Sequence, residues 1–301
     1  MNIDAFNKKT ISDIDGILTS SFTFNRGTNE NFLYGRSYET RSTEKRHVIF
    51  LHDIGEHGNR YQDFFHSFLN HFKDPDLAFH TLDFRGHGKS SGTRGHLKSI
   101  DDLCLDIIGL TNQLEESGKP VIFMGLGLGG IVALKILHLH FSLLSKKVGG
   151  LILLNPALKL NWSFPSILEA VAKRDYLSLS KVKLPFVVEG KLFCGDSYIA
   201  EEFDSDPLIN HSLTWGSLLE LQHNATLMRT SAYYLDIPVF VGISGKGRLY
   251  ERKVVELFAK GIADCTYVDY LNASHDLLHN FECEKLSQDV YNWFKKYFLN
   301  P

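Results

Sequence analysis

Short apolar segments alternate with longer amphipathic segments along most of the chain. The short segments are unbroken apolar runs, as expected for strands that are buried on both faces of a sheet. The longer segments place apolar residues at helical spacing. This pattern predicts an α/β protein with a mostly parallel central sheet flanked by helices. The predicted strands read HVIFL, AFHTLDF, VIFMG, GGLILLN, PVFVGIS and CTYVDYL, and the predicted helices span residues 59–72, 99–115, 131–144, 250–260 and 283–298.

The pattern changes at two places. In about the first 40 residues, the segments GILTSSFTF and NFLYGRSYE flank a polar turn and predict antiparallel strands. Between Pro156 and about Asn224, mixed helical stretches carry several prolines and no strong strand pattern. An insertion after a central strand is expected to form a cap over the edge of the sheet. The predicted organisation is a core of residues 1–155 and 225–301 with a cap insertion of residues 156–224.

Composition excludes several classes of protein. The chain has 301 residues, of which 44% are hydrophobic and 22% charged, as in ordinary globular proteins. The net charge of -3 does not indicate the positively charged surface that nucleic-acid-binding proteins use. The four cysteines lie far apart without the ligand spacing of a zinc site, so no metal or cofactor is predicted. Because no apolar leader or 18-residue apolar run is present, we expect a cytoplasmic protein without a transmembrane segment.

The strand VIFMG is followed by a glycine-rich turn, GLGLGG at residues 125–130, and then by an apolar helix. One interpretation is an ordinary strand-to-helix turn. A second is a nucleophile elbow, GxSxG, in which Gly127 takes the place of the serine. A third is the GxGxxG turn of an NAD-type dinucleotide site. That site uses an acidic residue at the end of the next strand, where this chain has Asn155.

Three further segments follow predicted strands. The loop at residues 52–61 either donates a backbone N–H group to an oxyanion hole or is a plain turn with a Glu56–Arg60 pair at i,i+4 spacing. The loop at residues 83–92 is rich in glycine, and its predicted role is structural. His275 lies between the last predicted strand and the last predicted helix. A lone histidine is usually structural, but this is the place of a triad histidine in the chain order serine, acid, histidine.

Together these segments resemble the monoglyceride lipase and lysophospholipase family of α/β hydrolases, from about Phe32 to Phe298. The matching residues are His52, Glu56, His57, Arg60 and Tyr61 in the first loop, Asp83, Gly86, His87, Gly88 and Ser90 in the second, and the Ser-Asp-Pro-Leu stretch at residues 205–208. The resemblance implies the α/β-hydrolase fold with an inserted cap and a catalytic serine, acid and histidine. It also implies an oxyanion hole formed at Ile54 and Leu128.

The chain departs from this family at the positions of the catalytic groups. Gly127 occupies the place of the nucleophilic serine, and Gly247 falls at about the place of the acid. Some hydrolases carry the acid at the end of the preceding strand, but Asn155 stands there. Asp53 replaces the glycine of the oxyanion loop, where a carboxylate is expected to repel a developing oxyanion. Of the triad, only His275 remains.

Two classes of function follow from these departures. The first is a pseudoenzyme that lacks serine-esterase activity and binds a lipid-like or small hydrophobic ligand under its cap, or a protein partner. The alternative is an enzyme, either a carboxylic ester hydrolase or one with rewired chemistry, in which His275 acts as a general base oriented by Asp53 or Asp276. Ser244 lies near the acid position, but it lacks the geometry of an elbow. The losses of both nucleophile and acid favour the pseudoenzyme.

Overall fold

The computed structural model describes residues 4–25, 32–42, 45–73, 77–114, 118–139, 147–161 and 179–299. The strands in this part of the chain are β1 (Asp4–Ile14), β2 (Ile17–Asn25), β3 (Phe32–Glu39), β4 (Arg46–Leu51), β5 (Leu77–Leu82), β6 (Val121–Leu126), β7 (Val148–Leu154), β8 (Lys183–Val187), β9 (Ser212–Thr214), β10 (Val239–Ser244) and β11 (Cys265–Tyr270). Nine of them form one sheet in the order β1-β2-β3-β5-β4-β6-β7-β10-β11. The strands from β5 to β11 in this order are parallel, and the first three are antiparallel to their neighbours.

Helices cover both faces of this sheet. The α-helices of the described residues are α1 (Gln62–Phe72), α2 (Ile100–Leu114), α3 (Leu128–Leu139), α4 (Gly190–Phe193), α5 (Ser197–Ser205), α6 (Trp215–Met228), α7 (Arg252–Lys260) and α8 (Cys283–Phe294), with 3-10 turns at Gly58–Tyr61 and Ser231–Tyr234. All five predicted helices are present within a few residues of their predicted starts. The predicted end of the third, at residues 140–144, lies outside the described residues. The expected α/β-hydrolase architecture is confirmed.

The N-terminal strand β1 was not predicted from the sequence. It pairs antiparallel with β2 through a turn at Asp15 and Gly16, which both have positive φ, 52° and 81°. β1 lies at one edge of the sheet, and its side chains from residue 7 onward are almost all exposed. An exposed edge strand carries no apolar run, so hydrophobic patterning does not detect it. The antiparallel pairing of β2 with β3 is confirmed.

The core explains why the central strands are unbroken apolar runs. Every residue of β5, β6 and β10 is buried, because helices pack on both faces of the sheet. One apolar cluster joins α2, α3, α6 and α7 to one face, and a second joins α1 and α8 to the other. Helix α3 is buried over nearly its whole length, which places its first turn deep in the molecule.

The segment between β7 and β10 packs against the loops at the carboxyl edge of the sheet. The sequence shows no strong strand pattern there, but the structure contains two strands, β8 and β9, which form a two-stranded antiparallel sheet. These strands are only five and three residues long, too short for a recognisable pattern. Within the segment, Asn210 N donates to the Gly55 carbonyl at 2.8 Å, and the Phe193 carbonyl accepts from Asp276 N at 2.8 Å. The exact division into core and cap stays a prediction.

The described residues contain no helix long and apolar enough to cross a membrane.

Candidate functional site

A tight turn joins β6 to α3 at the centre of the molecule, with Gly127 at its apex. Gly127 has a φ of +52°, a conformation in which a side chain adds strain. On either side the backbones touch: a Cβ on Gly125 would lie 2.5 Å from the carbonyl carbon of Gly129, and a Cβ on Gly129 would lie 2.0 Å from the Leu51 carbonyl oxygen. The glycines flanking Gly127 are therefore required by close packing between the turn, α3 and β4.

The carboxylate of Asp53 occupies the space in which a side chain at position 127 would lie. An ideal Cβ on Gly127 would be 2.1 Å from the Cγ, the Oδ1 and the Oδ2 of Asp53. Asp53 comes from a different loop, the one that follows β4, and it is fully buried. The absence of a side chain at position 127 is therefore what makes room for the carboxylate of Asp53.

Two backbone amides hold this carboxylate. Asp53 Oδ1 accepts hydrogen bonds from the N–H groups of Ile54 and Leu128, each at 2.7 Å. Leu128 is the first residue of α3, so the positive end of the helix dipole also faces the carboxylate. The hydroxyl of Tyr250 donates to Oδ1 at 2.9 Å and to Oδ2 at 3.1 Å. The side chain of Asp53 is therefore itself the anion that these amides bind.

His275 completes the site from the loop after β11. Its Nε2 lies 2.8 Å from Asp53 Oδ2, and both side chains are buried. The carbonyl of His275 accepts from Asn155 Nδ2 at 2.6 Å. Asn155 and the edge-on ring of Tyr250 thus fix the histidine in place. One carboxylate connects four loops at the carboxyl edge of the sheet, which follow β4, β6, β10 and β11.

Gly247 lies beside His275 without offering it a functional group. A Cβ on Gly247 would be 3.6 Å from the Cα of His275 and 2.3 Å from Ser244 Oγ. Ser244 donates from both N and Oγ to Asn155 Oδ1, at 2.9 and 3.2 Å. Ser244 and Asn155 therefore link the ends of β7 and β10, and neither supplies an acid.

Of the two carboxylates considered for orienting His275, Asp53 contacts it and Asp276 does not. Asp276 Oδ2 instead lies 3.3 Å from Arg60 Nη2 and 2.8 Å from His279 Nδ1. Asp53 contacts Nε2, the ring nitrogen that hydrogen-bonds the nucleophile in a serine triad.

A second buried polar cluster lies next to this site. The Glu56–Arg60 pair is present at 3.8 Å, and Tyr61 donates its hydroxyl proton to Glu56. Burial raises the pKa of Glu56 to about 7, against the attraction of Arg60. Burial also opposes ionisation of Asp276 and His279, but their mutual attraction outweighs it. The pKa of Asp276 falls to about 2, and that of His279 rises.

Glu56 and His279 each contribute stability that is lost as the pH rises, whereas the lowered pKa values of four histidines act in the opposite direction below about pH 6.5: His47, His52, His80 and His87. The folded state binds the proton of Glu56 more tightly than the unfolded state, whose pKa is near 4.5, so its contribution falls between about pH 4.5 and 7. His279 acts in the same direction, because its stabilisation is lost as the pH rises through its raised pKa. We expect the contribution of Glu56 to the free energy of unfolding to fall by about 3 kcal/mol between pH 5 and 8.

Urea denaturation at each pH measures this slope. The difference in free energy of unfolding between the native chain and Glu56→Gln isolates Glu56, and it should fall by about 3 kcal/mol between pH 5 and 8. Glu39→Gln is the matched control, because ion pairs with Lys8 and Lys45 outweigh burial and lower the pKa of Glu39, so it titrates below this range. An unchanged slope in Glu56→Gln would contradict the assignment.

The remaining motif residues have structural roles. Asp83 accepts from the N–H groups of Gly58 and Lys89, both at 2.8 Å, as the predicted structural loop requires. His57 Nε2 lies 2.9 Å from Asp206 Oδ2, which ties the first loop to the Ser-Asp-Pro-Leu stretch. Sequence reasoning missed Tyr250 altogether. No motif marks it, and only the fold brings it to Asp53.

Comparisons with known proteins agree with this architecture. The family model described as serine aminopeptidase, S33, matches residues 42–283. A monoacylglycerol lipase from Mycolicibacterium smegmatis is 26% identical over 264 residues, which cover 84% of this chain and 90% of that protein. An uncharacterized abhydrolase domain-containing protein from Dictyostelium discoideum is 24% identical over 263 residues, 84% of this chain. The match spans only 26% of the Dictyostelium protein.

A solved structure shows the same fold. A soluble variant of monoglyceride lipase from Saccharomyces cerevisiae, in complex with a substrate analog, superposes with a TM-score of 0.74 at 17% identity. The match covers 90% of this chain and 93% of the yeast chain.

Proposed function

Because the chain belongs to the serine aminopeptidase S33 family of α/β hydrolases, we propose that it keeps the fold of ester hydrolases but has lost their acyl-enzyme chemistry. In this proposal it binds a ligand or a partner without turning over esters. The observation that carries the proposal is the position of the Asp53 carboxylate. It fills the space of a side chain at Gly127 and accepts hydrogen bonds from the backbone amides of Ile54 and Leu128.

The expected loss of activity is large. Removing the nucleophile of a serine protease lowers kcat by about 10⁶-fold, and the residual ~10³–10⁴-fold catalysis over water comes from the oxyanion hole and substrate binding. Here the amides that would form that hole already bind Asp53, and a second negative charge at this place would be repelled. The residual catalysis of a serine-deficient hydrolase is therefore removed as well.

The same contacts argue against chemistry based on His275 alone. A general base needs a free nitrogen within reach of the substrate, and Nε2 is hydrogen-bonded to Asp53 in a buried position. We assign Gly127 and Gly247 to the former positions of the nucleophile and the acid. His275 is then a retained histidine with a structural partner.

The ligand of the proposed binding role is expected to be lipid-like or otherwise apolar. The yeast monoglyceride lipase of the same fold was solved with a substrate analog. In the present chain, residues 156–224 are proposed as the cap over the core of residues 1–155 and 225–301. The contacts of Asn210 and Phe193 with the loops at Gly55 and Asp276 support this placement.

Labelling with a fluorophosphonate probe tests the loss of acyl-enzyme chemistry. These probes phosphonylate an activated serine, so we expect no adduct on the native chain by intact-protein mass spectrometry. An active serine esterase under the same conditions gives the positive control. Ser244→Ala is the matched variant, because Ser244 is the serine nearest the former acid position. An adduct on the native chain that disappears in Ser244→Ala would contradict the proposal.

A further inference from the structure

A cavity of about 350 Å³ lies outside the Asp53–His275 site, between α1, the start of α5 and the loop that follows His275. Its walls are mainly apolar and include Phe64, Ile199 and Leu278. Phe281 stands at its edge with 80% of its surface exposed. None of Asp53, Gly127 and His275 lines the cavity, so it is separate from the former catalytic centre. Its size fits one aromatic ring with a short chain.

The polar groups of the cavity give it a preferred charge. Asp63 from the first turn of α1 and Asp196 from the N-terminal cap of α5 line it. Asp196 Oδ1 accepts hydrogen bonds from the N–H groups of Tyr198 and Ile199, which fix the carboxylate at the start of α5. Among the described lining residues there is no lysine or arginine.

The one basic side chain described in the lining is already neutralised. His279 donates from Nδ1 to Asp276 at 2.8 Å and from Nε2 to the Arg60 carbonyl at 2.9 Å. With both ring nitrogens donating, the imidazolium is paired with Asp276 and has no hydrogen bond left for a ligand. Asp63 and Asp196 therefore set the charge preference at the cavity.

We propose that this cavity binds an apolar primary amine, with the ring or alkyl group against Phe64, Ile199 and Leu278 and the ammonium group at Asp63 and Asp196. An exposed ring such as that of Phe281 also attracts a cation over its face. An anionic ligand would meet two like charges, and a neutral one would cover the carboxylates without compensating them. The proposal names a class of ligand for the binding role proposed above. It rests on the proposed function only in assuming that the protein binds a ligand.

Isothermal titration of the full chain with 3-phenylpropylamine tests the proposal. We expect a Kd on the order of 1 mM for a ligand of this size. The neutral analogue 3-phenylpropan-1-ol should bind about fivefold more weakly, and the anion 3-phenylpropionate should not bind measurably. No detectable binding of the amine, or equal affinity for amine and alcohol, would overturn the proposal.

Two variants locate the site and one serves as a control. Asp63→Asn should reduce the fivefold preference for the amine over the alcohol to about twofold, because Asp196 remains. Ser67→Phe, on the exposed part of α1 that lines the cavity, should abolish binding by filling it. Asp236→Asn, at an exposed position away from the lining, should bind like the native chain. Amine binding that survives Ser67→Phe would place it elsewhere and overturn the proposal.

The outcome is independent of ester turnover. The titration detects binding without any reaction, so a negative result leaves the proposed loss of esterase activity unaffected. Conversely, a fluorophosphonate adduct would contradict that loss and leave the amine site standing.

Discussion

Placing a serine in the turn by Gly127→Ser should destabilise the protein by about 4 kcal/mol and should give no esterase. The left-handed φ of +52° costs about 1–2 kcal/mol for a residue with a side chain. The new Cβ would also lie 2.1 Å from the Asp53 carboxyl group, and overpacking of this kind costs about 1–3 kcal/mol. The added side chain therefore cannot be accommodated unless the carboxylate of Asp53 moves.

Urea denaturation of native and variant chains measures this effect, and Gly118→Ser is its matched control. Gly118 has a φ of +66°, and nothing lies within 4 Å of a Cβ placed on it. Gly118→Ser therefore carries the backbone strain without the clash, and we expect it to lose only about 1–2 kcal/mol. Equal losses in the two variants would show that Asp53 does not fill the space at position 127.

The second large effect is expected for Asp53→Ala, which should lower the free energy of unfolding by about 3–5 kcal/mol. The carboxylate accepts from two backbone amides and from Tyr250, and it pairs with His275. Removing it leaves these buried donors without an acceptor, and breaking a buried pair costs about that much.

Asp53→Asn separates the charge from the shape of this side chain. The amide oxygen of asparagine can still accept from Ile54 and Leu128, so we expect a loss smaller than in Asp53→Ala. Urea denaturation near neutral pH ranks the two variants. If Asp53→Ala were as stable as the native chain, the carboxylate would not connect the loops in the way described.

The general architecture was open to prediction because its signals are local. Buried parallel strands such as β6 and β10 are unbroken apolar runs. In the helices between the strands, apolar residues recur at helical spacing. The edge strand β1 lacks these signals because its side chains are mostly exposed. The strands β8 and β9 lack them because they are too short. The chain order of the motifs also placed Gly127 and His275 in loops at the same edge of the sheet.

The chemistry of the site was only partly accessible from the sequence. Asp53 was expected to repel an oxyanion, which follows from its charge and its place in the loop. Neither the charge nor the position in the loop fixes the direction of the side chain. In the structure the side chain of Asp53 points toward Gly127, Leu128 and His275. The contact with Tyr250 depends on the path of the chain after β10, about 200 residues away in sequence, for which no local pattern exists.

A double-mutant cycle on the free energy of unfolding tests most directly whether the carboxylate of Asp53 occupies the side-chain space at position 127. It compares the native chain with Gly127→Ser, Asp53→Gly and the double variant. We predict that Gly127→Ser costs at least 2 kcal/mol less in the Asp53→Gly background, because the clash is gone and only backbone strain remains. The same cost in both backgrounds would contradict the account.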